Sequence, residues 1–348
     1  MVYLDSTTLR ELLHEGLILR GVERVAADHV AESLVETSLR GVDSHGVNLY
    51  THYCRAVEGG RINARPDIRI SRTAASVATI DADHAFGHHA GAVAIDAAVG
   101  MARETGIGAV SVGNSSHFGA AAYFGLRAAR AGFLGMAFCN ADALVKVHNG
   151  RSSFFGTNPI CFCAPLSGEE PFCLDMATSL AAWNKVKNAR AAGTSIPPGW
   201  AYDESGAGVT DPHQARSLAA LGGYKGFDLG MMVDILCALL ANGPISKDIP
   251  PMFDAPLSVR RRISHFFIAV DISKFVPLDV FMNRLSEMAT RVRATPAMDG
   301  AVDAVMIAGD PEKRCQAVRL AEGIPMAEER YAELQDVLPG VAAARVSR

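Results

Sequence analysis

The chain has 348 residues, enough to bury one large core or two. Hydrophobic residues make up 49% and charged residues 20%, proportions that exclude a disordered chain and suit a soluble globular one. A net charge of −4 at pH 7 excludes general attraction to nucleic acid or to an anionic membrane surface.

The seven cysteines (54, 139, 161, 163, 173, 237 and 315) are odd in number and mostly sit in apolar runs. That usage predicts reduced thiols in the cytoplasm rather than a disulfide framework. Cys161 and Cys163 lack the C-x-x-C spacing of a redox or zinc pair. Met1 to Glu11 carries no cationic-then-apolar leader pattern. The longest apolar stretch, Leu229 to Ala241, is interrupted by Asp234 and is too short to span a bilayer, so it predicts a buried helix.

In chain order, Ser6 to Leu19 predicts an amphipathic helix opened by a Thr8/Glu11 capping box. Val22 to Arg40 and Val47 to Val57 predict two more, giving an all-helical opening. Short β-rich runs follow at Asp67 to Ser71 and Val77 to Ile80. Then come a helix from Gly91 to Thr105, a strand from Gly108 to Val112 and a helix from Ala120 to Ala131. Strands are predicted at Leu134 to Cys139, Ile160 to Cys163 and Phe172 to Leu174, and a helix at Thr178 to Ala191 with Thr178 as its N-cap. Gly193 to Gly208 reads as a mobile or substrate-covering loop. The last elements are a strand from Ile263 to Val270, a helix from Leu278 to Arg293, a strand from Ala304 to Ile307, a helix opened by Pro311 and a helix from Glu328 to Leu338. Interleaved helices and strands make this an α/β protein.

The polar side chains concentrate at glycine-flanked turns. Arg40-Gly41-Val42-Asp43-Ser44-His45-Gly46 ends the second helix, with Gly41 placed to take a positive φ. A neutral His beside a hydroxyl is suited to passing protons near neutral pH. Gly113-Asn114-Ser115-Ser116-His117-Phe118-Gly119 follows a strand, where loops commonly hold ligands. Asp175, in an otherwise apolar stretch, needs a partner or a ligand hydroxyl. Lys185 lies in the following helix. Gly222-Gly223-Tyr224-Lys225-Gly226 opens a helix whose N–H groups, with Lys225, suit a phosphate. The G-x-G-x-x-G fingerprint is missing, so any nicotinamide cofactor is held without a Rossmann loop. Arg260-Arg261-Arg262 reads as a solvated turn. His84 and His88 are four apart, but Gly87 disfavours a helix between them, so no metal site is expected there.

Together these segments, with Phe155-Gly156-Thr157-Asn158-Pro159 and Asp175-Met176-Ala177-Thr178, resemble the malate/L-lactate dehydrogenase family that stands apart from the Rossmann-fold enzymes of those names. The resemblance covers roughly Leu4 to Leu338. It implies a non-Rossmann fold with a helical N-terminal region (1–75, contributing to the substrate site and packed with 270–348) and a mixed-sheet NAD(P)-binding domain (76–269). It also implies a homodimer acting on a small molecule, with hydride transfer between NAD or NADP and a 2-hydroxy or 2-oxo acid. Catalytic roles fall by resemblance on His45 with Ser44, on His117 and on Lys185, with His45 favoured as proton carrier. Cofactor contacts fall on Ser116, His117, Phe118, Gly119 and Ala120, on Asn140 and Ala141, on Asp175, Met176 and Ala177, on Lys225, and on Gly309, Asp310 and Pro311. One departure is Leu49, where the family pattern carries an Arg that would grip a carboxylate in a bidentate pair. Either another cation such as Arg55 or Lys185 takes over, or the substrate differs from a simple malate or lactate. Two rival readings follow: a reductase of a cyclic 2-carboxy imine, and a cofactor-binding protein without catalysis.

Overall fold

The structure, a computed structural model, describes residues 1–346. Its centre is a seven-stranded mixed sheet in the order Arg69–Ala74, Val77–Asp81, Ile107–Ser115, Ile263–Asp271, Phe133–Cys139, Ile160–Ala164, Phe172–Met176. Only Val77–Asp81 and Ile107–Ser115 run parallel, and Gly87–Thr105 is the helix that connects them. Every other neighbouring pair is antiparallel. The latest strand of this sheet in chain order, Ile263–Asp271, inserts between two earlier ones at the middle. It is an almost continuous run of buried residues, as a strand covered on both faces must be.

Small residues let the helices press onto this sheet. A Cβ at Gly108 would stand 2.1 Å from Ala98 O on the helix Gly87–Thr105, and one at Gly135 would stand 2.6 Å from Gly125 O on the helix Ala122–Arg130. Phe118, Phe124 and Phe267 fill the space between. The opposite face is covered near Phe138 and Phe266 by Val233 and Cys237.

A second core lies among the helices Ser6–Ile18, Arg24–Leu39 and Tyr50–Glu58 and the C-terminal segment. The first strand, Val2–Leu4, joins this core by pairing antiparallel with Ile324–Met326. A third, smaller core (Val186, Ile196, Ala201, Ala215, Leu218) joins the helix Trp183–Ala192 to a sheet of five short strands.

Several expectations change. The first helix is capped by Asp5, whose carboxylate accepts from the N–H of Thr8 at 2.8 Å, so Thr8 and Glu11 form no capping box. Thr178 caps nothing; its hydroxyl donates to Thr157 O, and the helix begins at Trp183. Residues 304–307 form no strand. The segment 193–208 is partly ordered into the strands Ala201–Tyr202 and Gly208–Val209. Gly87 opens a helix rather than blocking one, which puts His88 inside it and leaves His84 outside. The stretch 229–241 is not a buried helix. It runs as the helix Tyr224–Asp234 and a π-turn Ile235–Leu239, buries Val233, Asp234, Cys237 and Ala238, and exposes Met231, Met232, Ile235, Leu239 and Leu240. Buried Asp234 is matched by the backbone N–H and the hydroxyl of Ser246, at 3.0 and 2.9 Å.

Candidate active site

A cleft of about 860 Å³ opens between the helical region and the sheet domain. Its chemistry begins at the turn after Arg24–Leu39. Gly41 takes φ +84°, a left-handed value that favours glycine. A Cβ at Gly46 would stand 2.1 Å from Ser38 Oγ, which instead accepts from the N–H of Val47 at 2.9 Å. Asp43 is held away from the reacting groups by a bidentate pair with Arg319, at 2.6 and 2.9 Å. The turn therefore aims Ser44 and His45 into the cleft, joined through Ser44 Oγ and His45 Nδ1 at 2.9 Å.

His117 enters from the end of Ile107–Ser115. Its ring lies over that of His45, with centroids 5.5 Å apart and planes inclined by 28°. His117 Nδ1 meets the hydroxyl of Tyr53, from the helix Tyr50–Glu58, at 2.7 Å. Burial lowers the pKa of both histidines, and His117 lies well below its ordinary value, further depressed by His45 and by Arg261. Both rings are therefore neutral at pH 7. The hydroxyls of Ser44 and Tyr53 engage Nδ1 in each case, which leaves Nε2 as the nitrogen available to a bound molecule.

Gly119, Ala120, Ala141, Asp175, Ala177, Gly309 and Pro311 line the cleft with His45, Ser44 and His117. Asp175 accepts from the N–H of Ala122 at 2.8 Å, and the protein around it pushes its carboxyl up to about 7. The remaining expected residues stand elsewhere. Phe118 is stacked on His265 in the core at 4.8 Å, and Ser116 is buried. Asn140 is fully buried, accepting from the N–H of Ser264 and donating to Pro244 O. Met176 is outside the lining. Asp310 is paired with Arg293 and accepts from the N–H of Ile307, shaping the turn whose neighbours Gly309 and Pro311 face the cleft. Lys225 is exposed outside the lining. So is Lys185, whose ammonium sits 5.6 Å from the centre of the Trp200 ring.

The cations that do face the cleft are Arg40, Lys187, Arg190 and Arg261. Trp183, Lys187 and Arg190 are spaced i, i+4 and i+7, so one face of the helix carries all three; that spacing was available in the sequence. Arg261 had no such signal. The middle member of the arginine run is 3% exposed, paired with Asp142, and donates through Nε to Pro250 O at 2.8 Å. The wall beside it, Met252 and Phe253, hangs from Arg61, whose guanidinium donates to the carbonyls of Met252, Ala255 and Pro256 at 2.6, 2.7 and 3.0 Å. Arg40 is 4% exposed, and its Nη1 has no hydrogen-bond partner among the described residues.

A profile of malate/L-lactate dehydrogenase matches residues 4–335. The chain belongs to the malate/L-lactate dehydrogenase family. It is 33% identical to the ureidoglycolate dehydrogenase (NAD(+)) of Escherichia coli (strain K12), over 94% of this chain and 93% of that one. It is 36% identical to a malate dehydrogenase of Pyrococcus abyssi, over 91% and 89%. The structure superposes on malate dehydrogenase from Entamoeba histolytica with a TM-score of 0.92 at 26% identity, covering 98% of each chain.

In this member of the malate/L-lactate dehydrogenase family, Leu49 itself lines the cleft. Arg55 is exposed and outside the lining, so neither it nor Lys185 supplies the missing guanidinium. Arg261 is a buried cation lining the same cleft, and, after burial, its proximity helps depress the pKa of His117 and His52.

Proposed function

We propose that this cleft interconverts a small 2-hydroxy acid and its 2-oxo acid with NAD or NADP. The observation that carries the reading is the stacked pair of neutral imidazoles, each tethered at Nδ1 by a hydroxyl. NAD(P), when bound, supplies the hydride acceptor or donor. The residues present suit it. Unpartnered Arg40 Nη1 offers a buried donor to a pyrophosphate, Asp175 is an acceptor for ribose hydroxyls, and residues 120–122 open a helix toward the same wall.

His45 Nε2 takes the substrate hydroxyl proton in the oxidative direction, while Ser44 accepts from the charged ring at Nδ1. His45 is the better carrier because its pKa is lowered by burial alone, whereas His117, also buried, is depressed further by His45, Arg261, His88 and His52 around it. Once His45 is charged, it keeps His117 neutral and able to hold the same oxygen. Arg261 has Nε and Nη2 engaged, which leaves Nη1 for the substrate carboxylate in place of the guanidinium absent at Leu49.

The exposed apolar stripe of Met231, Ile235, Leu239 and Leu240 supports a homodimer, since a surface of that kind is covered in a stable protein. Seven free cysteines support a reducing cytoplasm. Among the described residues no helix is long and apolar enough to cross a membrane.

The deciding experiment is an absorbance assay at the reduced-nicotinamide band, with both cofactors against 2-hydroxy acids, 2-oxo acids and cyclic 2-carboxy imines. Turnover of an acid pair supports the reading. Turnover of imines alone replaces the substrate, and cofactor binding without any turnover leaves a non-catalytic binding protein.

A further inference from the structure

Cys161, Cys163 and Cys173 gather on one face of two neighbouring strands. Cys161 and Cys163 are two residues apart in Ile160–Ala164 and project to the same side, and Cys163 lies directly opposite Cys173 in Phe172–Met176. The backbone N–H of Cys173 points the other way, donating to Ala308 O at 3.3 Å. Cys163 and Cys173 are therefore a non-hydrogen-bonded cross-strand pair, the kind whose Cα atoms approach to about 4.5 Å, within the span a disulfide bridges. The three Sγ atoms lie within 4.8 Å of one another, with Cys161 and Cys163 at 3.7 Å.

The three thiols are not equivalent. A Cβ at Gly125 would meet Cys161 and Cys163 Sγ at 2.7 Å each, so the helix Ala122–Arg130 closes over those two. Cys173 lines the cleft, on the same wall as buried Arg40 with its unpartnered Nη1. The neighbouring thiols of Cys161 and Cys163, and after them the Arg40 charge, hold the Cys173 thiol below the ordinary range. The hydrogen bonding within the trio and burial push Cys161 up, and Cys163 also lies well above the ordinary range. Cys173 thus faces the cleft, with Cys161 and Cys163 packed behind it under the helix.

We infer that Cys173 is a peroxide-reactive thiol and that Cys163 resolves it to a disulfide. The Cys173 thiolate attacks one peroxide oxygen, the O–O bond breaks, and hydroxide leaves and is protonated to water, giving the sulfenic acid. Cys163 Sγ then attacks Cys173 Sγ, the S–O bond breaks, and the departing hydroxide takes the Cys163 proton to form a second water. Two thiols are oxidised and one peroxide is reduced. The bridge would stiffen the strand against which the turn carrying Gly309 packs, since a Cβ there would stand 3.2 Å from Cys173 N. Bonding Cys173 Sγ to Cys163 also draws a side chain out of the cleft wall, so a weaker hold on the cofactor follows, and this consequence alone rests on the proposed cofactor site.

The test is peptide mapping of the reduced full chain after one equivalent of hydrogen peroxide. Expected is the loss of two thiols per chain, a Cys163–Cys173 cross-linked peptide reversed by dithiothreitol, and half-exposed Cys315 reacting about tenfold more slowly or less. In Cys163→Ser the sulfenic acid on Cys173 should be trapped by dimedone; in Cys173→Ser the cross-link should vanish. Preferential oxidation of Cys315, or no cross-link in a chain shown folded by circular dichroism, overturns the inference. Reduced-nicotinamide fluorescence titrations should give weaker binding to the bridged chain, and equal affinities would overturn the link to the cofactor.

Discussion

His45 and His117 face each other across 5.5 Å, and each is fixed at Nδ1 by a different hydroxyl, Ser44 for one and Tyr53 for the other. The two rings come from separate parts of the molecule, one from the helical region and one from the end of a sheet strand. With both Nδ1 atoms engaged, the two Nε2 atoms are the ring nitrogens left to meet a bound molecule.

Replacing His45 by Asn should lower kcat by about 10²–10⁴ while cofactor affinity stays within about twofold, the signature of a lost proton carrier. His117→Asn should cost less in kcat. Equal, small losses in both variants would remove the proposed roles. Oxidation should be fastest where His45 is neutral and should fall on the acid side as the ring protonates, below the ordinary 6.5 because burial lowers its pKa.

Arg261→Lys should raise KM for the acid by roughly 10–100-fold, because a charged hydrogen bond contributes about 1.5–3 kcal/mol and an ammonium cannot bridge Asp142, Pro250 and a carboxylate together. Leu49→Arg should shift selectivity toward dicarboxylates by placing a further guanidinium in the same cleft. An unchanged KM in Arg261→Lys, measured beside an unchanged cofactor Kd, would assign the carboxylate to another cation.

Arg61→Met should lower stability by about 2–4 kcal/mol, since the buried carbonyl of Met252 and the partly buried ones of Ala255 and Pro256 lose their donors together. Urea unfolding read by fluorescence gives the number. The same variant should raise KM, because Met252 and Phe253 hang from that guanidinium; a loss of stability with kinetics intact would separate the loop from the site.

Stability should fall steeply in mild acid. Burial lowers His88 and His265 to about 3 and His89 to about 4, against 6.5 unfolded. Between those values and 6.5 the unfolded chain binds more protons than the folded one, so stability rises with pH through that window and is lost as pH falls below 6.5. Each such histidine contributes about 1.4 kcal/mol per pH unit inside its window. Asp175 acts in the opposite sense, but it is open to cleft water and its effect is discounted. Circular dichroism against pH should show cooperative unfolding near roughly pH 4–5. A flat profile down to pH 3 would mean the histidines are not buried neutral.

Local signals were enough for much of this chain. The apolar periods of Arg24–Leu39, Phe133–Cys139 and Ile263–Asp271 were legible because a helix stripe or a doubly covered strand writes its burial into consecutive residues. Gly41 announced its turn, because left-handed backbone disfavours a Cβ. His45, Ser44, His117 and Asp175 stood out as polar residues in apolar or glycine-flanked settings. Tertiary structure decided the rest. It buried Arg261 between two exposed arginines, turned Lys187 rather than Lys185 toward the cleft, and left one face of Tyr224–Asp234 bare. It also set Cys173 against Cys163 across two strands. In each case the outcome depends on which distant segment supplies a partner, an Asp142 or a neighbouring strand, and free energy from such long-range contacts has no imprint on the spacing of nearby residues.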